Sequence, residues 1–383
     1  MFLIWGKYSA FFPFDCNQLF FFTLQRMLFC FFKPLEVDTL FCATKVGRYF
    51  KNTVSLARKI IEMLKRVYFA FVFLLISSYS QAQKEGSAFH FLQLPSSAHG
   101  AALGGENISI IEDDLSLSIH NPALLSCVSD KSLLLNYMYY IKGVNVAGAA
   151  FTRTAGQRGN WAVAAQYIDY GKMKETTAEN VTLGTFSAKD ISLSGIYAYA
   201  LSDFWSGGVR ANLIYSHYDS YSSVAIGIDL GLNYYREESD FSASIVGKNL
   251  GGQLKSFEER HEKLPAELQM GFSKGLSHAP FRLSLTLHDL TRWSDADTSA
   301  NNFRRKLLNH IAVGVDFLPT DNIYLAVGYN FRRGDEMKVA GSSHWAGFTA
   351  GAGVHIKRLK IDAAYLKQHF SASSLLLNLA YAL

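Results

Sequence analysis

VAIGIDLGLNY, Val224–Tyr234, decides how the chain is read. Val224, Ile226, Ile228, Leu230, Leu232 and Tyr234 fall on one side of a two-residue repeat, and Ala225, Gly227, Asp229, Gly231 and Asn233 on the other. Successive side chains of a strand point to opposite faces, so these two sets occupy opposite faces of an extended segment. A helix would need a period near 3.6 residues, which this stretch lacks. The pattern recurs at Ile323, Leu325, Val327, Tyr329 and Phe331 against Ala326, Gly328, Asn330 and Arg332. It recurs again at Trp205, Val209, Leu213 and Tyr215 against Ser206, Arg210, Asn212 and Ser216.

Extending the rule outward predicts strands near 131–141, 144–153, 160–170, 189–201, 204–218, 223–236, 240–249, 266–276, 280–290, 306–318, 322–333, 345–357, 359–369 and 372–382. Fourteen is even, as single-chain bacterial barrels require. Most of the strands reach ten residues, the length that crosses a bilayer at a tilt, whereas a soluble sandwich manages with five or six. The expected fold is therefore all-β, a 14-stranded antiparallel transmembrane barrel over residues 131–383. The long connections, near 171–188, 250–265, 291–305 and 334–344, all follow odd-numbered strands. The tight ones follow even-numbered strands: Ser202-Asp203, Glu237–Ser239, Ser277–Ala279, Pro319–Asp321 and Arg358. Odd and even connections lie at opposite ends of an up-and-down barrel, and outer-membrane barrels carry their long loops outside the cell. Arg210, Asp229, Arg282, Asp316, Arg332 and Asp362 are then expected to point inward, their mixed signs suggesting internal ion pairs. Leu375, Leu377, Leu379, Tyr381 and Leu383 form the lipid face of the last strand, and Trp161, Trp205 and Trp345 fit an interfacial girdle.

Composition agrees. Charged residues make up only 18% of the 383, below the usual quarter or so. Yet no apolar run after residue 83 is long enough for a membrane helix. The net charge of +5 mixes two regions. Ten of the 37 Lys/Arg and four of the 32 Asp/Glu lie in residues 1–82, so the remainder carries 27 basic against 28 acidic residues. That balance offers nothing to a nucleic acid. Cys16, Cys30 and Cys42 lie upstream and leave Cys127 alone, so neither a disulfide nor a zinc-type cysteine cluster is expected there.

Residues 63–83 have the form of a signal peptide: Lys65-Arg66, an apolar core from Val67 to Ile76, then Ser80-Gln81-Ala82. Cleavage is expected between Ala82 and Gln83. Residues 1–62 are Phe-rich without clean periodicity, and we read them as an upstream extension outside the native fold. Residues 83–130, broken by Pro95, Gly104-Gly105 and Pro122, are long enough to enter the barrel as a plug.

Nothing resembles a catalytic motif: there is no G-x-S-x-G, P-loop or H-E-x-x-H. Ser96, Ser97, His99, His120 and His288 are available, but their spacing points to no triad. Asp295-Ala296-Asp297 with Asn301 lacks the glycine and glutamate of a calcium loop, having Ala300 and Lys306 instead. We expect no enzyme, no cofactor and no metal.

Asn121-Pro122-Ala123 resembles the NPA stretch near the N-terminus of FadL-type barrels. The wider text, FLQLPSSAHGAALGG (91–105) followed by ENISIIEDDLSLSIHNPALLS (106–126), resembles the PorQ family of the type IX secretion system. The resemblance continues in 164–190, 216–235 and 273–293, and covers nearly all of residues 88–383. It implies a barrel similar to PorV and FadL, with the N-terminal segment in its lumen, in the outer membrane of a Bacteroidetes-like Gram-negative bacterium. It implies PorZ-like, PorU-like and PorV-like partners in a surface complex that attaches cargo to lipopolysaccharide. The alternative it leaves open is a FadL-like transporter of hydrophobic small molecules. Mass-spectrometric mapping of the membrane form should place its N-terminus near Gln83 and recover no peptide from residues 1–62; abundant peptides from that region would refute the processing expectation.

Overall fold

In the computed structural model, residues 89–383 are described except 178–180, 258–260, 292–302, 338–344 and 370–371. The upstream extension, the signal peptide, the Ala82–Gln83 junction and the Asp295–Asp297 loop lie outside the described residues.

Fourteen antiparallel strands close into a barrel in which each pairs with its sequence neighbours and β1 pairs with β14. They are β1 Ser132–Ile141, β2 Val144–Ala155, β3 Gly159–Thr176, β4 Thr182–Ala200, β5 Trp205–Tyr218, β6 Tyr221–Arg236 and β7 Phe241–Lys255. The second half comprises β8 Glu267–Gly275, β9 Phe281–Leu287, β10 Ile311–Thr320, β11 Ile323–Asn330, β12 Phe348–Ile356, β13 Leu359–His369 and β14 Ala372–Ala382. No helix among the described residues is long and apolar enough to cross a membrane. The strands do the crossing.

The alternation seen in sequence becomes inside and outside. On β6, Ala225, Gly227, Asp229 and Asn233 are buried while Ile226, Ile228 and Leu230 are exposed. Leu375, Leu377, Leu379 and Tyr381 are exposed in the same way on β14. A wall whose outer face is Leu, Ile, Val and Tyr all the way round would aggregate in water, and only hydrocarbon suits it. Trp161, Tyr197, Tyr199 and Trp205 are exposed at the short-turn end of β3–β5, and Tyr167, Tyr215 and Tyr221 toward the other end of β3, β5 and β6. The protein is a transmembrane β-barrel.

Several expected boundaries need correction. The connection placed at 171–188 is mostly strand. β3 and β4 stay paired past a bulge at Asp169–Lys172, out to Thr176 opposite Thr182, with Gly171 at φ 72° in the bulge. At about 3.3 Å per residue, strands of 18 and 19 residues outrun a hydrocarbon core of roughly 30 Å even when tilted. Their outer part stands in water, where neither face must be apolar, so the alternation vanishes from the sequence there. β7 likewise runs on to Lys255. In the other direction, β11 stops at Asn330, whose side chain caps a short helix, Phe331–Glu336, by accepting from Arg333 N. Phe331 and Arg332 therefore belong to that helix and not to a strand face. Residues 306–308, expected in a strand, lie in a helix spanning Phe303–Leu308.

Tags inserted at Glu262 or within Phe303–Leu308 should be reached by antibody on intact cells, and tags at Ser202-Asp203 or Pro319–Asp321 only after permeabilisation. The opposite pattern would invert the topology.

Candidate functional site

The functional question is what fills the barrel. Residues 89–128 do. They run through a 3₁₀ turn (His90–Gln93), α1 (Ala98–Ala102), α2 (Leu115–Ser118) and a second 3₁₀ turn (Pro122–Cys127). Leu103, Ile108, Ile110, Leu115, Leu117, Leu124 and Leu125 are almost entirely buried, each side chain contributing about 1.5–3 kcal/mol of transfer free energy. The short helices survive because they are capped: Ser97 Oγ accepts from Gly100 N, and Asp114 Oδ1 from Ser116 N.

Asn121, Pro122 and Ala123 pack directly on the wall. Asn121 Oδ1 accepts from Ala123 N at 3.0 Å, and Nδ2 donates to Ile108 O at 2.7 Å, which ties two plug segments together. Pro122 opens the 3₁₀ turn, where no backbone donor is needed. Beneath it, Gly208 on β5 faces Gly231 on β6 across the ladder. A Cβ on Gly208 would lie 2.3 Å from the Pro122 carbonyl carbon, and one on Gly231 2.3 Å from Asn121 Oδ1. The wall is bare where the turn sits. A second bare pair, Gly314 and Gly328 on β10 and β11, receives Leu103 and Gly104 in the same way.

Two ionic clusters lock the plug. In the first, His99 Nδ1 meets Glu112 Oε2 at 2.9 Å and His99 Nε2 meets Asp316 Oδ1 at 2.8 Å. Arg282 closes the ring, 2.6 Å from Glu112 Oε1 and 2.8 Å from Asp316 Oδ2. Two cations thus alternate with two anions, one of each from the plug and one of each from the wall. The imidazole also stacks on Tyr324, with centroids 3.7 Å apart. Burial alone would lower the His99 pKa, but the Glu112 and Asp316 carboxylates outweigh it and raise it to about 10. Burial pushes the Glu112 carboxyl up, yet His99 and Arg282 hold it well below the carboxylate range.

The second cluster centres on Glu106, which meets Lys248, His120 Nδ1 at 2.7 Å and Gln269 Nε2 at 2.7 Å. Ser96 N donates to His120 Nε2 at 2.9 Å, so that nitrogen must carry a lone pair. His120 is therefore neutral, and burial, working against the pull of Glu106, lowers its pKa. The two plug histidines have opposite charge states because one faces two carboxylates and the other faces a carboxylate and a backbone N–H.

Of the residues expected to point inward, Arg210 donates to Ile119 O at 2.7 Å and lies 3.4 Å from Asp229 Oδ2. Arg282 and Asp316 form the ring, and Asp362 is buried. Arg332 instead reaches Asp289 from its helix. Ser96, Ser97, His99 and His120 are brought together inside the plug without a nucleophile–base pair between them. His288 lies away from them, beside Asp289 at the end of β9. Glu106, Glu112 and Lys248 were not anticipated. The inward parity of Lys248 on β7 was the available signal for one of them, and no periodicity exists in the plug to flag the other two.

No family model matches the chain, and no curated protein matches it. Solved structures do. The toluene transporter TbuX of Ralstonia pickettii is 14% identical, covering 75% of this chain and 97% of its own, with a TM-score of 0.48. The toluene transporter TodX of Pseudomonas putida is 12% identical, with coverages of 75% and 97% and a TM-score of 0.47. The monoaromatic hydrocarbon channel CymD is 12% identical, with coverages of 77% and 98% and a TM-score of 0.49. These proteins are named for hydrocarbon passage, not for secretion.

The ring sets a pH dependence for plug retention. The His99 pKa is raised on folding, so its contribution is complete below the free value of 6.5 and is lost as pH climbs toward about 10. The Glu112 value is lowered on folding, so its contribution is present above 4.5 and is lost as pH falls below it. Protease resistance of the plug should therefore peak between about pH 5 and 6.5, and His99→Ala should flatten the alkaline limb. Arg282→Met, which strips the ring of one cation, should destabilise by about 3–5 kcal/mol, read as a lower temperature for loss of heat-modifiable mobility.

Proposed function

We propose that this chain is a non-catalytic scaffold of the outer membrane. Its long-loop end retains a protein partner at the cell surface, while the plug keeps the lumen closed. The observation that carries this reading is the filling of the lumen. Residues 89–128 are wedged onto bare glycine pairs and bound to the wall through the His99–Glu112–Arg282–Asp316 ring. A path for a hydrophobic solute would need a continuous apolar surface, and a cavity beside the plug among the described residues has Glu106, Glu267, His288, Asp289 and Arg332 in its lining. A rigid barrel holds loop ends in fixed positions, which lets loops carry specific binding.

The resemblance to the PorQ family supports a PorZ-like protein as the retained partner, with PorU-like and PorV-like proteins in the same complex and lipopolysaccharide as the surface to which cargo is joined. The second reading is a channel for hydrophobic small molecules. The names of the similar solved structures lie on its side, since they are toluene and monoaromatic hydrocarbon transporters. The charged lining lies against it.

Removing the gene separates the two. The scaffold reading expects a surface protein to be shed into the medium and uptake of toluene to be unchanged. Shortening the connection between Lys255 and Glu267 should reproduce the shedding while the barrel stays folded and heat-modifiable. Unchanged surface retention together with lost toluene uptake would replace the scaffold by the channel.

A further inference from the structure

A further polar site adjoins the Glu106 cluster, Gln269 donating to both Glu106 and Glu267. Glu267 opens β8, and His288 and Asp289 directly follow β9. β8 and β9 are paired neighbours, so the three residues meet at the long-loop end of the wall. One ligand-type atom from each can be chosen so that all three lie within 4.8 Å of one another. They line a cavity of about 200 Å³, with room for an ion and several waters, into which Glu106 of the plug also faces.

We propose that Glu267, His288 and Asp289 bind a divalent transition-metal cation of the zinc class. A mixed imidazole and carboxylate set suits zinc or manganese better than calcium or magnesium, which favour oxygen alone. The groups are held in position as metal ligands usually are. Glu267 Oε1 accepts from Gln269 Nε2 at 2.7 Å and from Asp289 N at 3.0 Å, which fixes the carboxylate. The His288 backbone is pinned by His310, with His288 N donating to His310 O and His310 Nδ1 bonding His288 O, both at 2.9 Å. The imidazole Nδ1 lies 3.7 Å from Asp289 Oδ2, while His288 Nε2 is buried with no hydrogen bond among the described residues. A buried ring nitrogen is rarely left this way, and a metal satisfies it. The charge balance also favours a cation. Glu106, Glu267, Asp289 and Glu336 bring four carboxylates to the cavity against two guanidiniums, Arg332 and Arg333, of which Arg332 contacts Asp289 and bonds Glu336 at 2.6 Å. Arg332 is thus a competitor for Asp289, not a ligand. The bound ion would join the start of β8 to the connection that leaves β9, bracing the loop end of the barrel whether that end holds a partner or admits a solute.

Zinc titration of the purified full chain in detergent, followed by calorimetry, tests the assignment. One Zn²⁺ per chain should bind at micromolar free ion, and a large excess of Mg²⁺ should not displace it. Glu267→Gln and His288→Ala should each weaken binding at least tenfold, with heat-modifiable mobility confirming that each variant is folded; the near-isosteric E267Q serves if H288A does not fold. Arg332→Ala, which removes the competing cation, should tighten binding severalfold. No uptake by the wild-type chain, or wild-type affinity in a folded E267Q or H288A, would overturn the site. Unchanged or weaker binding in R332A would overturn the place of Asp289 in it.

Discussion

A backbone that crosses hydrocarbon must bond every N–H and C=O to itself, because nothing outside will accept them. In this protein the requirement is met by fourteen strands whose last pairs with its first, from Ser132 opposite Ala382 to Tyr139 opposite Leu375. Closure leaves no edge in lipid. It also creates an interior, and much of the remaining structure follows from having to fill it. Side chains from fourteen strands do not fill such a lumen alone, so residues 89–128 enter it.

Filling a lumen with chain brings a second constraint. The plug carries its own peptide groups and charges into a space with little water, and each needs a partner. Backbone approach is solved by removing wall side chains: Gly208 with Gly231, and Gly314 with Gly328, let the Asn121–Pro122 and Leu103–Gly104 turns come within contact of the strands. Charge is solved by alternation, with His99 and Glu112 from the plug set against Asp316 and Arg282 from the wall. A buried ring of this kind adds less to net stability than its Coulomb energy suggests, because all four groups are desolvated. Its stronger effect is on position, since displacing the plug breaks both bonds that cross from plug to wall, His99–Asp316 and Glu112–Arg282.

The parts of the fold readable in advance are those where one side of a strand meets lipid. The alternation at 224–234 and at 375–381 is imposed by the membrane, and the strands it marks are where they were expected. The reading failed where that pressure stops. Lys172–Thr176 and Thr182–Ser187 form a paired hairpin in water and show no apolar face. Asn330 ends β11 through a capping bond that a strand pattern cannot register, which moved Arg332 from the expected wall to a helix beside Asp289. The site residues were less readable still. Arg282 and Asp316 were assigned to the interior by parity, but their meeting with His99 spans 217 residues between His99 and Asp316.

By itself, then, the sequence determined the number of strands, their alternation and the end that carries the long connections. Each of those is a local property repeated along the chain, set by a membrane that acts on every strand alike. Only the tertiary structure decided which inward groups meet: the NPA turn on a glycine pair, the four-membered ionic ring, and Glu267 beside His288 and Asp289. Those meetings depend on register summed around a closed ladder and on the course of an irregular plug. No period in the chain encodes either.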